Sequence, residues 1–291
     1  MKKKIDVAIV GASGFTGGEI CRILLNHKNI NNIYPFSREK KFFKIAHPHL
    51  SNSGLKFFNL KKISNYNFDV IFLCTKSKDS EKLAELFFKR KVKIIDLSGA
   101  FRFKTQKKFT DAYGYNNKSY LNKKAVYGLT EYNRKNIKNA KIISNPGCYA
   151  ITALLSLGPI IKKNFLENNN RLSIHSLNGT TGAGNNPKTE IFHSKANENI
   201  LTYNADGHRH SSEIEEKLKI FFNKDISIDL NTAHGSFRRG IYMQICLYVK
   251  KNFINKISRE KILKIYKKYF KKEKFIIIND LQKIEKKNEK E

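Results

Sequence analysis

At 291 residues, with 40% hydrophobic and 28% charged content, the chain has the length for one large core or two moderate ones and the balance of an ordinary globular protein. No apolar run approaches the ~20 residues of a membrane span, and the apolar stretch behind Lys2-Lys3-Lys4 is broken by glycines after residue 10, which argues against a signal peptide. The formal charge of +31 suggests nucleic acid, but its 56 Lys and Arg are scattered without a zinc finger, RNP-like motif or Arg-rich arm, so the expectation is no nucleic acid, no membrane and a field that steers small anionic substrates.

Residues 5–10 are a continuous apolar run, as in a parallel strand covered on both faces. Gly11-Ala12-Ser13-Gly14-Phe15-Thr16-Gly17-Gly18 follows, then residues 19–25 at helical spacing. Strand, glycine turn and helix make a cradle in which backbone approaches a dinucleotide pyrophosphate at a helix N-terminus. The next strand covers residues 32–36. Roughly 20 residues after the glycines, where an NAD enzyme carries an acid for the ribose, Ser37-Arg38 stand instead, and a cation there favours the 2′-phosphate of NADP.

Residues 69–74 read as another buried strand and residues 78–90 as a helix with Leu83, Leu86, Phe87 and Phe88 on its apolar face. Residues 92–97 read as a strand ending in Ser98-Gly99-Ala100-Phe101-Arg102. This alternation predicts a doubly wound α/β sheet, with Thr75, Ser98 and Cys148 at the carboxyl ends of strands facing one crevice. Arg102 is a candidate for an anionic substrate group. Residues 141–144 are a short apolar run, Asn145-Pro146-Gly147 force a turn, and residues 151–157 read as helix. Cys148 therefore sits in the first turn of a helix, where unpaired N–H groups and the helix dipole lower a thiol pKa and make a nucleophile.

The texture then changes. Residues 171–177, 226–232 and 240–249 read as antiparallel strands of a second, α+β domain. Gly179-Thr180-Thr181-Gly182-Ala183-Gly184 is a hydroxyl-rich loop suited to wrapping a substrate. In Gly207-His208-Arg209-His210, two histidines stand before a helix whose start is marked by the Ser212/Glu215 capping-box spacing and whose apolar face is Ile214, Leu218, Phe221 and Phe222. Arg238-Arg239 offer a further anion site. A Lys-rich amphipathic helix from residue 258 and a strand at 275–278 close the reading. The four cysteines form no C-x-x-C pair, so no metal and no disulfide framework is expected, and a cytoplasmic setting fits. The expected division is a Rossmann-like domain at 1–147, an α+β catalytic and dimerisation domain at 148–281, and a charged tail at 282–291.

The glycine turn 11–19, Asp96-Leu97-Ser98-Gly99-Ala100-Phe101-Arg102, Pro146-Gly147-Cys148-Tyr149 and Gly207-His208-Arg209-His210 occur in that order, and together they resemble the N-acetyl-gamma-glutamyl-phosphate reductase family of arginine biosynthesis. They are similar also to its lysine-pathway sister, which reduces an aminoadipyl phosphate on an amino-group carrier protein. More loosely they resemble aspartate-semialdehyde dehydrogenase. The resemblance covers roughly residues 5–250. It implies reduction of an acyl phosphate to a semialdehyde by NADPH, with Cys148 as nucleophile and His210 as acid/base, supported by His208. It implies NADP held by Gly11, Ser13, Gly14, Phe15, Thr16, Gly17, Ser37, Arg38 and Ser98. Arg102, the loop around Gly182 and Arg239 would surround the acyl phosphate, in a homodimer or homotetramer made through the second domain. Two departures stand out: Asn178 and threonines replace serines in the 178–184 loop, and the family's closing Asp-Asn-Leu-x-Lys-Gly-Ala helix has no counterpart. A nucleic-acid-binding protein and a non-catalytic remnant are the alternatives from other classes.

Overall fold

The computed structural model describes residues 4–38, 42–167, 171–185 and 193–280; the expected tail at 282–291 lies outside them. The first half runs β1 (Ile5–Val10), α1 (Phe15–Leu25), β2 (Ile30–Ser37), α2 (Phe43–Ala46), β3 (Phe58–Asn59), β4 (Val70–Leu73), α3 (Ser77–Phe88), β5 (Lys93–Asp96), α4 (Gln106–Tyr113), β6 (Val126–Tyr127), α5 (Thr130–Asn139) and β7 (Ile142–Ser144). These strands form one seven-stranded sheet in the order β3-β2-β1-β4-β5-β7-β6. Every pairing in it is parallel. Successive side chains of β1 point to opposite faces. Val7 and Ile9 bury against Ile20 and Cys21 of α1. Ala8 and Val10 enter a separate core with Phe36, Ile71 and Phe87. That double burial is why β1 is apolar throughout. The strand order reverses between β1 and β4, so a crevice opens at their carboxyl ends.

The second half runs α6 (Cys148–Lys162), β8 (Arg171–Asn178), α7 (His193–Ala196), β9 (Leu201–Tyr203), α8 (Arg209–Phe222), β10 (Ser227–His234), β11 (Ile241–Ile245), α9 (Lys251–Ile254) and α10 (Arg259–Tyr269). Its sheet has four strands, in the order β11-β8-β10-β9. Leu172 and Ile174 of β8 and Ile228 and Leu230 of β10 meet Leu154 and Leu157 of α6 and Ile214 and Leu218 of α8 in one core. Arg171, Ser173 and His175 face away and are exposed.

The architecture is the expected α/β sheet with a second α+β domain, but several details differ. The strands at 171 and 227 are parallel, in register from Ser227↔Arg171 to His234↔Asn178. Only the edge strands β9 and β11 run antiparallel. With one face covered and one open, a parallel pair shows the same two-residue alternation as an antiparallel one, so the sequence pattern does not separate them. Residues 275–278 form no strand, and Phe275 is 98% exposed. On α3 the covered residues include Ser80, Ala84 and Phe87, while Leu86 faces outward. Elements α4 and α5 are polar overall and β6 is only two residues long, so none of them stands out in the sequence. Among the described residues, no helix is long and apolar enough to cross a membrane.

Candidate active site

The glycine turn after β1 is shaped by contacts behind it. Gly11 has φ +80°, and a Cβ there would fall 2.3 Å from the Cys74 carbonyl oxygen; one on Gly17 would fall 2.6 Å from the Gly11 carbonyl oxygen. Only glycine fits both constraints. Gly14, the N-cap of α1, has no such obstruction, and its side-chain position is open to within 3.5 Å. The turn is therefore held tightly from the protein side, while α1 leads with uncapped N–H groups, the cradle a pyrophosphate needs. His47 braces it: its Nε2–H donates to the Ala12 carbonyl at 2.7 Å, and a Cβ on Gly18 would fall 2.3 Å from its ring. Ser37 is buried at the end of β2. Arg38 beside it is exposed and pairs with Asp79 at 2.7 Å.

The turn after β7 is held differently. Gly147 is the N-cap of α6 and Cys148 its first residue, as expected. The Gly147 N–H donates to Glu213 Oε1 at 2.9 Å. Tyr127 OH donates to the same oxygen at 2.8 Å, and Arg102 Nη1 donates to Glu213 Oε2 at 3.3 Å. Arg102 also donates to the carbonyls of Asn145 (3.0 Å) and Leu97 (3.2 Å). A Cβ on Gly147 would come within 2.5 Å of His210 Nε2 and 2.8 Å of Arg102 Nη1, so imidazole and guanidinium pack directly on the backbone that carries the thiol.

His208 is the N-cap of α8: its Nδ1 accepts the His210 N–H at 3.1 Å. The helix thus begins at Arg209, its cap four residues ahead of the expected Ser212 cap. Glu215 instead accepts the Ile228 N–H at 2.8 Å, tying α8 to β10. A ring nitrogen substitutes here for the usual hydroxyl or carboxylate cap. His210 Nε2 lies 3.4 Å from Arg102 Nη1 and 4.0 Å from Glu213 Oε2. Its Nδ1 is buried with no hydrogen-bond partner among the described residues. Burial, then the charges of Arg102, His208 and Arg209, push His210 well below the ordinary histidine value. Burial and Arg209 take His208 to about 4. Both rings are neutral near pH 7.

The Cys148 thiol departs from expectation. Burial pushes it above the ordinary value; the N–H of Tyr149, the Arg102 charge and its own N–H pull it down only in part, and Glu213 opposes them. The helix N-terminus does act on the sulfur, and the side chain is open to the cleft, but partial desolvation by the protein packed around it is the larger effect.

That cleft is a cavity of about 660 Å³ between the two domains, lined by Phe15 and Thr16 of the glycine turn, Cys148, Gly182 and Arg239. Arg239 is half exposed and reaches Glu19 at 3.5 Å. Thr75 and Ser98 line a neighbouring cavity of about 590 Å³ with Arg102 and Arg209, and Leu97 borders both. The single expected crevice is thus two adjoining ones. Gly182 packs on the amide of Asn178. Asn178 Oδ1 in turn accepts from Tyr149 OH at 2.7 Å and from Tyr203 OH at 3.2 Å. The asparagine at this position anchors the loop to the residue beside Cys148. Sequence reasoning missed Glu213, Tyr127 and His47, each of which acts through residues distant in the chain. Among the described residues, no group of three or more His, Cys, Asp or Glu is arranged to hold a metal ion.

Residues 6–140 match the semialdehyde dehydrogenase NAD-binding domain, and residues 148–290 match the semialdehyde dehydrogenase dimerisation domain. The N-acetyl-gamma-glutamyl-phosphate reductase of Methanocaldococcus jannaschii is 35% identical over 282 residues, covering 94% of this chain and 79% of its own length. The enzymes of that name from Campylobacter jejuni (35%) and Lachnoclostridium phytofermentans (33%) cover the same shares. This chain belongs to the N-acetyl-gamma-glutamyl-phosphate reductase family. As a member it is an oxidoreductase with an NAD(P)-binding domain, and the resemblance drawn from the four ordered motifs holds. Among solved structures, aspartate semialdehyde dehydrogenase II of Vibrio cholerae superposes with a TM-score of 0.66 at 16% identity, over 91% of this chain and 79% of that one. The Francisella tularensis aspartate semialdehyde dehydrogenase gives 0.61 at 13%, over 91% and 80%. That likeness is of the fold.

Proposed function

We propose that this chain reduces N-acetyl-gamma-glutamyl phosphate to N-acetylglutamate 5-semialdehyde and phosphate in arginine biosynthesis, using NADPH. The observation that carries the reading is the junction at Gly147: the thiol of Cys148 opens into the cavity beside the glycine turn while His210 packs against the residue before it. The relatives named above support the substrate.

The glycine turn from Gly11 to Gly17 fits a pyrophosphate, with Ser13, Gly14, Phe15 and Thr16 toward it, Ser37 and Arg38 beyond it for the 2′-phosphate, and Ser98 on the nicotinamide side. When bound, NADPH supplies a hydride. The protein does the rest. Neutral His210 takes the Cys148 proton as general base, and the thiolate attacks the acyl carbon. The tetrahedral adduct expels phosphate and leaves a thioester on Cys148. After reduction, His210 returns its proton to the oxyanion, giving a hemithioacetal. His210 then removes the hydroxyl proton as the C–S bond breaks, releasing the aldehyde and the thiolate. Once the sulfur is acylated, the Cys148 and Tyr149 N–H groups at the start of α6, which face it, are free to stabilise the oxyanion. His208 keeps the first turn of α8 capped and His210 oriented. Arg239 and the loop at Gly182 receive the substrate from the open side, and Arg102 contributes its charge from beneath.

The boundary between domains falls at Cys148, and the second domain makes a homodimer or homotetramer, in keeping with the dimerisation-domain match. A cytoplasmic location fits a chain whose four cysteines are all free thiols. The test runs the reaction in reverse, with semialdehyde, NADP and phosphate, following NADPH absorbance. Phosphate-dependent NADPH formation that vanishes in Cys148→Ala is expected. No NADPH from folded protein that binds NADP would overturn the choice of substrate.

A further inference from the structure

Glu213 is 0% exposed and each of its oxygens is engaged. Oε1 accepts from the Gly147 N–H and from Tyr127 OH, while Oε2 accepts from Arg102 and lies 4.0 Å from His210 Nε2. We propose that Glu213 is a positioning residue of this site: one carboxylate that locks the Cys148 turn to Arg102 and His210 and sets the charge balance beneath the thiol. The proposal rests on Cys148 being the nucleophile.

A fully buried carboxylate is costly unless paired and hydrogen-bonded, and a neutral acceptor would satisfy Gly147 and Tyr127 equally well. The negative charge therefore calls for a separate reason, and its location supplies one. At the start of α6, the Gly147 N–H is turned to the carboxylate, while the N–H groups of Cys148 and Tyr149 serve the sulfur. The carboxylate thus shares one helix N-terminus with the thiol and disfavours its thiolate form. Arg102 pairs with the carboxylate and pulls the thiol the other way, toward its thiolate. The remaining neighbours leave this balance to the pair. Tyr113 of α4 and Tyr127 of β6 are raised by burial and stay neutral. Asp96 of β5, which also faces Arg102, is held toward its neutral form by burial. On α8, His208 and His210 are neutral near pH 7, Arg209 is a cation, and Lys217 is paired with Glu216. Glu213 thus adds to the desolvation that keeps Cys148 protonated until His210 takes the proton, which couples thiolate formation to the acid needed later.

The test reads the thiol without any substrate. Cys148 and Cys246 are the exposed cysteines, so a Cys246→Ser background isolates Cys148. Its carboxamidomethylation by iodoacetamide, in which the thiolate displaces iodide, is followed by peptide mass against pH. In Glu213→Gln the amide oxygen still accepts from Gly147 and Tyr127, and the midpoint is expected to fall by about one unit, a tenfold faster reaction at fixed pH below it. In Arg102→Gln/Glu213→Gln the charges leave together and the midpoint is expected within about half a unit of the parent; this double variant is read alone if the single one fails to fold. An unchanged or raised midpoint in Glu213→Gln, or a double variant more than about a unit away, overturns the proposal. In turnover, Glu213→Gln should lose at least about tenfold in kcat with KM within about threefold, a pattern that loss of fold would not give. Should the parent turn over no acyl phosphate at all, the alkylation result still decides the role of Glu213.

Discussion

The molecule uses the same local device twice and finishes it in opposite ways. After β1 and after β7, a parallel strand ends in a glycine-bearing turn that opens a helix, and in both the N-cap is a glycine without a side-chain cap. The first turn is braced from behind, by Cys74, Ala12 and His47, and its front is open. The second is filled: Glu213 takes the N-cap N–H, and Arg102 and His210 press on the Gly147 backbone. A turn that receives a large diffusible anion must leave its donors free. A turn that carries a nucleophile must fix one atom, and buried charge fixed by several elements does that.

Exchanging the glycines tests whether the two turns are independent. The largest effect is expected from Gly147→Ala, whose methyl group would displace His210 and Arg102. A shift of about 1 Å there should lower kcat about hundredfold, with NADP affinity within about twofold. Loss of NADP binding in this variant would merge the two sites. Gly11→Ala should do the reverse. Its φ of +80° and the Cys74 carbonyl force the turn to move, weakening NADP by roughly tenfold or more, by analogy with the 1–3 kcal/mol typical of local backbone strain, while Cys148 alkylation stays at the parent rate. Alkylation that slows in step with NADP binding would contradict the separation.

Arg38→Ala sharpens the assignment of the open side. Removing a charge-assisted contact should weaken NADPH by about tenfold to a hundredfold and leave NADH nearly unchanged; equal loss for both would remove Arg38 from the 2′-phosphate. The smallest effect concerns the filled side. His208 drops from 6.5 unfolded to about 4 folded, and His210 shifts the same way. The unfolded chain therefore binds protons that the folded one does not, and the His208 contribution to stability should be full above about pH 6.5, fall as pH drops toward 4, and level below it. Thermal melts of the parent against His208→Gln measure this as a gap that narrows with acidity. A constant gap would mean that His208 is not buried neutral.

The open turn was legible in the sequence because its parts are contiguous: the apolar run, the glycines and the helix lie within residues 5–25. The position of Cys148 on α6 was legible for the same reason. The completion of the second turn was not. Glu213 follows Gly147 by 66 residues, and Arg102 precedes His210 by 108. In the sequence Glu213 is one acid in an amphipathic helix, and nothing local marks it as buried. The start of α8 was misread because the Ser212/Glu215 spacing outweighed a histidine cap, which is uncommon. The expected drop in the thiol pKa considered the helix N-terminus, a local feature, and lacked the partial desolvation that only the folded surroundings supply. Parallel pairing of β8 and β10 escaped because alternation reports which face is covered and not the strand direction.

The claim that most depends on the filled turn is that Cys148 carries the acyl group. Protein incubated with N-acetylglutamate 5-semialdehyde and NADP, with phosphate withheld, should retain the acyl chain as a thioester. Mass spectrometry of the digest should find the acyl mass on the peptide containing Cys148, and later addition of phosphate should discharge it. NADPH formed with no acyl mass on that peptide, or acyl mass on Cys246 instead, would contradict Cys148 as the nucleophile.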